Sequence, residues 1–547
     1  MKAKSEDQKF IMILGAGLMQ RPAIEAAKNM GYRTLVVDGN PKAVCVPFAD
    51  RFEPVDLKDR KGLAELALSL GKELVAVFTA GTDFSTSVSY VAEQCHLPAH
   101  SFEAAHNASN KVKMRECFKK AGVSSPDFQE VDRSQIASLI APQVIDKMVF
   151  PKVIKPVDNM GARGCRMIRS KVEFLPAAED AVRNSRSGRA ILEDYMDGPE
   201  FSIDAIVYKK TLTITGFADR HIFYQPYFIE TGHTLPTVVD EKKRSELIAC
   251  FAKAVNALGL TCGAAKADIK YTAKGPMIGE IAARLSGGYM SGWTYPFASD
   301  MDLTEQALLI ALGKEPQDLL LRRKPLPIKD VPFGIYEVPC NKTSAERAWI
   351  SIPGTVAMLT GTDYVSAMPY TRNILLRSYP NSTVVFPRNN VEKCGNIIAV
   401  SQKHELAVAA AENGVAGMIL RLKRNNADTD NFLAGKTLAS EKGFPPDAYQ
   451  LTDKQRKAFE SFANNAPCIE ADKPALPKLP KCLEEIADTL TDWNHRTMRT
   501  SLIQYDRMCA SHERIDGSKF WKALIRGGVQ GIMYVSDCAE QTTKKRR

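Results

Sequence analysis

Residues 279–288 read Gly-Glu-Ile-Ala-Ala-Arg-Leu-Ser-Gly-Gly and contain the residues that most strongly indicate the fold. Glu280 ends a short apolar run, and Arg284 follows it by four residues. A second carboxylate, Asp268, stands twelve residues before Glu280, at the end of Cys262-Gly-Ala-Ala-Lys-Ala-Asp268. Two acids on neighbouring strands beside an arginine are typical of a site for a divalent cation and a phosphate group. Solvated surface acids at strand ends give the same pattern. The remaining sequence is needed to distinguish a metal site from such surface acids.

The composition limits the class of protein. The chain has 547 residues, 45% hydrophobic and 25% charged, which predicts a globular protein of about three or four domains. A net charge of +10 is mild for this length; it suits anionic substrates such as nucleotides and does not by itself indicate nucleic-acid binding. We interpret the terminal run Lys544-Lys-Arg-Arg547 as a solvated tail.

Cysteine spacing and hydropathy predict the compartment. The twelve cysteines include no Cys-x-x-Cys pair, which favours reduced thiols in a cytoplasm. The apolar run 10–19 is short and contains Gly15 and Gly17, so it predicts a strand entering a turn rather than a signal peptide. The sequence contains no stretch of about 18 apolar residues, so no membrane span is predicted. We therefore expect a cytoplasmic protein that acts on small molecules and binds neither nucleic acid nor membrane.

The N-terminal region predicts a parallel α/β domain. Residues 10–14 form the continuous apolar run of a buried strand, and residues 20–30 have helical spacing. The turn Gly15-Ala-Gly17 between them matches part of a dinucleotide-binding pattern, but Gln20 stands where the third glycine belongs. An ordinary strand–helix turn is the favoured interpretation. A nicotinamide-dependent dehydrogenase built on Gly15, Gly17 and Asp38 is a remote alternative.

Further strands are expected at 34–37 and 74–78. Ligands of open α/β sheets bind beyond the carboxyl ends of the strands. The polar or flexible residues that follow these strands are therefore expected to converge there: Gly15, Gly17, Asp38, Thr82 and Asp83.

From about residue 103 the pattern changes. Residues 110–122 predict an amphipathic helix that ends at a glycine, and Pro126 begins a linker into a new domain. A strand at 150–156 carries Lys155 near its end. The following loop, with Gly161 and Gly164, is compatible either with an ordinary hairpin or with amides that cover polyphosphate oxygens.

The next segment predicts two strands joined by a turn. The second, over 201–207, alternates apolar and polar residues, so we expect it to be half buried, with Glu200 at its start. Residues 228–236 are interpreted as a loop that carries His233, followed by a helix over 240–258. A loop histidine is usually a surface residue, and a substrate role for His233 is the less favoured interpretation.

Over roughly residues 10–425 the order of these parts resembles the ATP-grasp superfamily, in the branch of biotin carboxylase, the purine-pathway carboxylate ligases and the L-amino acid ligases. The matching elements, in order, are the glycine-rich opening, Asn-Lys111-Val-Lys-Met-Arg, Val-Ile-Lys155-Pro, the loop to Gly164, Leu-Glu193-Asp-Tyr with Gly-Pro-Glu200, and Asp268 with Glu280-x-x-x-Arg284. The resemblance implies an ATP-grasp fold, in which two α+β subdomains enclose ATP, preceded by a Rossmann-like domain.

The resemblance also implies a role for each matching residue. Lys111 and Lys155 would contact ATP phosphates, and the loop 158–164 would close over them. The metal ligands would be Asp268 and Glu280, holding Mg²⁺ or Mn²⁺. The other implied contacts are Gly161, Arg163 and Gly164 in the loop, Val153 beside the adenine, Glu193 and Tyr195 in the hinge segment, Glu200 at the ribose, and Arg284 at the transferring phosphoryl group.

One residue departs from the family pattern. Glu-x-Asn-x-Arg is common, and here Ala282 stands at the asparagine position. Alanine offers no ligand, so occupancy by two metal ions is in doubt. The departure also motivates an alternative function, a nucleotide-binding regulatory protein that has lost catalysis.

The implied activity is that of an ATP-dependent carboxylate–amine ligase working through an acyl phosphate, with small-molecule carboxylate and amine substrates and a possible homodimer. The acceptor and donor candidates are Thr82, Asp83, His233, Ser286, Gly287 and Gly288. The Ser-Gly-Gly sequence after Arg284 favours an amino-acid-like substrate.

The expected domains are a Rossmann-like domain over 1–108, the ATP-grasp domain over 109–322, an associated C-terminal α+β subdomain over 323–432, and a helical appendix of unknown role over 433–547. Within the third, residues 396–400 predict a strand and 402–413 a helix. Within the appendix, 482–508 has helical periodicity, and the proline-rich stretch 473–480 predicts a linker.

Overall fold

The structure is a computed structural model that describes residues 9–436, 441, 443–469, 477–509 and 514–544. The polar N-terminus before residue 9, the end of the basic tail at 545–547 and part of the proline-rich stretch lie outside the described residues. No described helix is both long enough and apolar enough to cross a membrane.

A four-stranded parallel sheet forms the N-terminal part. Its strands, in spatial order, are Arg51–Glu53, Arg33–Val37, Phe10–Leu14 and Leu74–Phe78. All five side chains of Phe10–Leu14 are buried, which explains the uninterrupted apolar run. The helices here are Arg21–Asn29, Arg60–Ser69, Ser85–Gln94 and Phe102–Ser109. The predicted βαβ unit is confirmed.

A separate antiparallel sheet follows. It has the order Phe128–Asp132, Arg189–Asp194, Lys152–Pro156, Arg166–Ile168. The helices Arg133–Leu139, Pro142–Ile145 and Lys171–Asn184 belong to this region, and Phe174, Ile154 and Leu192 lie in its own apolar core. We call this unit the lid sheet.

The largest sheet contains ten strands. Its main path is Gly275–Ala282, Gly263–Thr272, Glu200–Tyr208, Thr211–Phe223, Ile229–Leu235, Thr343–Trp349, Gly395–Ser401 and Thr371–Leu376. The short strand Gly334–Glu337 pairs with Thr211–Phe223, and Lys324–Pro325 pairs with Gly334–Glu337. The helices Lys111–Ala121 and Glu241–Ala257 pack on the part of it nearest residue 280. We call it the base sheet. The helices Tyr295–Ser299, Leu303–Ala311, Gln317–Arg322, Thr362–Ser366 and His404–Gly417 complete this region.

Two predictions about these strands are wrong. The segment 228–236 is the strand Ile229–Leu235 and not a loop, because it pairs with Thr211–Phe223 on one side and Thr343–Trp349 on the other. The strand Glu200–Tyr208 is buried on both faces rather than half buried, since Ser202 and Asp204 are as inaccessible as their apolar neighbours.

The C-terminal helices share a core with the preceding strands. Gly354–Thr360 pairs with Thr383–Val384 and with Ile419–Leu422, and the helices Ala427–Leu433, Asp453–Ala463, Lys481–Glu484, Met498–Met508 and Gly517–Lys544 follow. One apolar cluster runs from Trp349 through Phe432 and Trp493 to Tyr534. The helical periodicity predicted over 482–508 is wrong between Glu484 and Met498, where a turn and a bridge from Thr491 to Thr497 interrupt it.

Candidate functional site

A cleft of about 400 Å³ lies between the lid sheet and the base sheet. Its volume falls in the range of small-molecule sites, roughly 300–1,000 Å³. Nine basic and six acidic side chains line it, so its net charge favours an anionic ligand. The predicted site residues found in its lining are Lys111, Val153, Lys155, Gly161, Arg163, Glu193, Tyr195, Glu200, Asp268, Glu280, Arg284, Gly287 and Gly288.

Lys111 begins the helix Lys111–Ala121, where Asn110 caps the first turn by accepting from two backbone amides. Its side chain is only 6% exposed, and its Nζ lies 3.1 Å from Glu280 Oε1. The same Nζ donates to the carbonyl oxygen of Asn159 at 3.0 Å. Burial lowers the pKa of Lys111, but the charges of Glu280 and Asp83 outweigh burial and raise it. Lys111 is therefore a fixed cation between the base sheet and the glycine-rich loop.

Glu193 lies between two cations. Arg115 Nε donates to its Oε1 at 2.7 Å, and Lys155 Nζ lies 2.7 Å from its Oε2. Burial raises the pKa of Glu193, but the charges of Arg115 and Lys155 outweigh burial and lower the pKa below its ordinary value. The Glu193 side chain thus fixes Lys155 in the cleft, and the backbone that follows it, towards Tyr195, forms the cleft wall.

The loop 158–164 is fastened at its base. The Asp158 carboxylate accepts from the Ser185 hydroxyl at 2.8 Å and from the backbone amides of Arg186 and Ser187 at 2.8 and 2.9 Å. Gly161 and Gly164 both have φ near +68°, a conformation that favours glycine. Gly161 lines the cleft, whereas Gly164 is absent from its lining. A Cβ at Gly164 would lie 2.8 Å from Asn184 Cβ, so Gly164 supports the loop instead of facing the ligand.

One end of the cleft is apolar. Val153, Met196, Ile222 and Phe228 line it together with Tyr195. The Tyr195 and Phe228 rings stack with centroids 6.4 Å apart and planes inclined by 19°. Flat, apolar walls next to a strand-to-strand backbone segment are compatible with a planar base. The places implied for Val153 beside the adenine and for Tyr195 in the hinge segment stay predictions.

Arg220 joins three carboxylates in the middle of the cleft. It forms ion pairs with Glu200, with Glu230 at 2.6 Å and with Asp268 at 2.7 Å. Lys270 lies 3.4 Å from Glu200 and donates to the Met196 carbonyl oxygen at 3.2 Å. Glu200 is thereby held at the border between the apolar end and the charged part of the cleft.

The two predicted metal ligands face each other. Antiparallel pairing of Gly263–Thr272 with Gly275–Ala282 places Asp268 directly opposite Glu280. Desolvation raises the pKa of Glu280, but Lys111, Lys155 and Lys266 lower it to about 2, so the group is ionised. No described cluster of three or more His, Cys, Asp or Glu side chains is arranged to hold a metal alone. The pair still fits Mg²⁺, which commonly uses one or two carboxylates and completes its shell with water and phosphate oxygens.

His233 differs from its predicted surface position. It lies within a strand, is 1% exposed, and its Nδ1 is 2.9 Å from Glu346 Oε2 while its Nε2 is 3.4 Å from Glu230 Oε2. Burial lowers the pKa of His233, but Glu230 and Glu346 raise it above its ordinary value. The ring does not line the cleft; it lies directly behind Gly288, where an added Cβ would be 3.3 Å from His233 Cε1.

Besides His233, three of the candidate substrate residues lie outside the cleft lining. Ser286 is fully buried, and its amide donates to Asp204 Oδ1 at 3.1 Å, so that amide is already used. Thr82 lies 2.7 Å from the Thr79 hydroxyl in the N-terminal sheet. Asp83 does not line the cleft, but its charge raises the pKa of Lys111.

The glycine-rich turn of the N-terminal sheet is filled by its own side chains. Asp38 accepts from the Ala16 amide at 2.8 Å, and the buried Gln20 side chain accepts from the Ala80 amide at 2.9 Å. Gln20 Cγ would lie 3.3 Å from a Cβ at Gly15. The Ala16 amide of this turn is thus already bound by Asp38, whereas a Cβ at Gly17 would meet no atom within 4 Å.

Eight charged residues of the site are not among the sequence predictions: Arg115 beside the cleft, and Asp194, Arg220, Glu230, Lys266, Lys270, Arg377 and Lys393 in its lining. Arg115 could have been predicted from the sequence. It follows Lys111 by four residues in one helix, a spacing that places both side chains on one side of the helix. Lys393 and Arg377 come from the C-terminal subdomain: Lys393 Nζ donates to the Glu230 carbonyl oxygen at 2.8 Å, and Arg377 Nε donates to Tyr289 Oη at 3.0 Å.

Two family models match the chain. Residues 148–292 match the ATP-grasp domain, and residues 348–421 match the L-amino acid ligase C-terminal domain 2. An L-amino acid ligase from Bacillus licheniformis has a similar structure, with a TM-score of 0.63, 18% identity, and coverage of 76% of this chain and 99% of that one. At this identity the likeness shows the fold.

Two curated relatives are similar over different shares of their length. An uncharacterized protein, y4rH, from Sinorhizobium fredii is 21% identical over 415 residues, which cover 74% of this chain and 81% of the relative. Carnosine synthase 1 from Gallus gallus is 23% identical over 342 residues, 58% of this chain. The match spans only 36% of that longer protein.

Proposed function

Because the chain carries an ATP-grasp domain followed by an L-amino acid ligase C-terminal domain, we propose that it is an ATP-dependent carboxylate–amine ligase. The observation that carries the proposal is the convergence in one cleft of Lys111, Lys155, the glycine-rich loop and the opposed carboxylates Asp268 and Glu280. The reaction class follows: ATP phosphorylates a carboxylate, and an amine displaces the phosphate from the resulting acyl phosphate.

Binding of the triphosphate rests on fixed positive charge. Phosphoryl transfer depends mainly on positioning and charge neutralisation, and both are supplied before the ligand arrives. Lys111 and Lys155 are each held by a carboxylate, so their ammonium groups need little reorganisation. Asp268 and Glu280 would hold Mg²⁺, which when bound neutralises phosphate oxygens.

Arg284 is assigned to the reacting end of the phosphate chain. It lines the cleft next to Gly287 and Gly288, and its Nη1 donates to the Leu285 carbonyl oxygen at 3.0 Å. Its buried Nε has no hydrogen-bond acceptor among the described residues. A guanidinium with a free donor at this place suits the charge that develops on a transferring phosphoryl group or on a substrate carboxylate.

An amino-acid-like substrate is the favoured donor or acceptor. Beyond Arg284, the cleft is lined by the acidic Glu230 and by the basic Arg377 and Lys393, with the two glycines beside them. A zwitterion presents one ammonium and one carboxylate, which such a mixed lining can pair. His233 supports this wall from behind, because its Nε2 lies 3.4 Å from Glu230 and its ring lies close to position 288, where an added Cβ would be 3.3 Å from His233 Cε1.

Exclusion of water is assigned to the glycine-rich loop. An acyl phosphate hydrolyses unless the site is closed. The Asn390 backbone amide donates to the Gly161 carbonyl oxygen at 2.9 Å. The side-chain oxygen of Asn390 accepts from the Glu230 backbone amide at 2.8 Å. Asn390 thus links the loop to the substrate wall.

ADP release measured over a panel of carboxylates and amines tests the proposal. We expect release only when both a carboxylate and an amine are present, and none with Glu280→Gln or Lys155→Ala although both variants remain folded. Glu116→Gln, which alters an exposed ion pair on the helix beside the cleft, is the matched control and should keep wild-type turnover. Tight ATP binding with no release over the whole panel would favour the regulatory alternative that Ala282 motivates.

A further inference from the structure

The strand pairing that opposes Asp268 to Glu280 also opposes Lys266 to Ala282. All four residues line the cleft, on one face of the base sheet. Side chains directly opposite in an antiparallel pair have Cβ atoms about 4.5–5.5 Å apart. The lysine is therefore the immediate neighbour of the methyl group that stands where the family pattern has an asparagine.

We propose that the Lys266 ammonium takes the place of a second metal ion, so that the cleft binds one divalent cation per nucleotide. Ala282 has no donor atom, and its small side chain leaves space for the long side chain of Lys266 across the strand pair. The proposal rests on the nucleotide site proposed above and concerns how that site is neutralised.

The ion pairs around Asp268 support this assignment. Lys266 Nζ and Arg220 Nη1 both contact Asp268 Oδ1, the latter at 2.7 Å. The oxygens left for a metal are Asp268 Oδ2 and one oxygen of Glu280, since Glu280 Oε1 pairs with Lys111. Asp268 and Glu280 would therefore hold one divalent ion.

The balance of charge in the cleft also favours one divalent ion per nucleotide. A second divalent ion would lie beside the Lys266 ammonium in the cleft, where like charges repel. The cleft already has three more basic than acidic side chains, which suits a nucleotide that carries one divalent ion and keeps net negative charge. A nucleotide neutralised by two such ions would gain less from these cations.

The number of bound ions is measurable without turnover. Wild-type protein saturated with a non-hydrolysable ATP analogue is titrated with Mn²⁺, and free Mn²⁺ is counted by electron paramagnetic resonance. We expect one bound Mn²⁺ per bound nucleotide. The double variant Lys266→Met/Ala282→Asn should bind two, because it removes the ammonium and supplies an amide ligand.

Lys274→Met is the matched control, since it removes an exposed lysine from the turn between the same two strands, outside the cleft lining; this variant should still bind one Mn²⁺. Two ions in the wild type, or one in a folded double variant, would overturn the inference. Nucleotide binding is measured separately by equilibrium dialysis. Absence of nucleotide binding in the wild type would refute the proposed function and the inference together, whereas binding with two ions would refute the inference alone.

Discussion

Replacing Arg115 with methionine tests the ion-pair cluster that joins the two sheets of the cleft. Arg115 is fully buried on the helix Lys111–Ala121. Its Nε donates to Glu193 of the lid sheet at 2.7 Å, and its Nη2 donates to the Gly279 carbonyl oxygen of the base sheet at 2.6 Å. The variant would leave the Glu193 carboxylate, 3% exposed, with Lys155 as its one remaining counterion in the described ion pairs.

The expected cost follows from that geometry. Breaking a buried ion pair by removing one partner costs about 3–5 kcal/mol, because the other charge stays buried without compensation. The loss of the hydrogen bond to Gly279 belongs to the same disruption, so no separate free-energy cost is added for it. Since domains are stable by about 5–15 kcal/mol, this is a large fraction of the total. The pKa of Glu193, now low because of Arg115 and Lys155, should rise.

Urea unfolding and thermal denaturation at pH 7.5 measure the effect. Lys113→Met is the matched control: it lies on the same helix, pairs with Glu116 at 3.0 Å, and is half exposed, so its loss should cost less than about 1 kcal/mol. The double variant Arg115→Met/Glu193→Met should recover much of the loss, because no lone carboxylate remains. Equal stability of Arg115→Met and Lys113→Met would refute the reasoning.

Three other changes have defined outcomes. Glu280→Gln should lower substrate-dependent ADP release by at least about 100-fold without unfolding the protein; retained turnover would contradict its assignment. Burial lowers the pKa of His100 to about 4, so the folded state stays neutral while the unfolded state protonates below about pH 6.5. Stability should therefore fall by up to about 3 kcal/mol between pH 6.5 and pH 4, and His100→Asn, compared by urea titration, should lose this part of the pH dependence. Gly288→Ala, whose Cβ would lie 3.1 Å from Glu230 Oε1 at a φ of +61°, should reduce turnover more than ATP-analogue affinity; unchanged turnover would remove this wall from the substrate site.

The sequence predicted those parts of the fold that have a local signal. The apolar run at Phe10–Leu14 and the glycine stop after Lys111–Ala121 both gave the right elements. The ATP-grasp resemblance is confirmed by the family-model match over 148–292. Lys111, Lys155, Asp268 and Glu280 came from motifs with fixed spacing, and the structure brings them to one cleft.

The features that could not be predicted from the sequence depend on contacts between distant segments of the chain. Ile229–Leu235 has little alternation and contains Gly232 and His233, and it is a strand because it completes a sheet between two neighbours. Its buried polar residues are paired across the chain, as Glu230 is with Arg220 and Lys393. No local pattern reveals such partners. The same holds for Glu193: the hinge motif located it, but only the fold shows that its side chain holds Arg115 and Lys155.

The proposed chemistry predicts one atom transfer that isotope labelling detects directly. If a carboxylate attacks the γ-phosphorus of ATP, one carboxylate oxygen leaves with the phosphate when the amine displaces it. A carboxylate substrate from the active panel, labelled with ¹⁸O, should therefore give inorganic phosphate that carries one ¹⁸O per turnover, read by ³¹P NMR or mass spectrometry. Phosphate free of ¹⁸O, formed at the same rate as the amide product, would contradict carboxylate activation by phosphoryl transfer in this cleft.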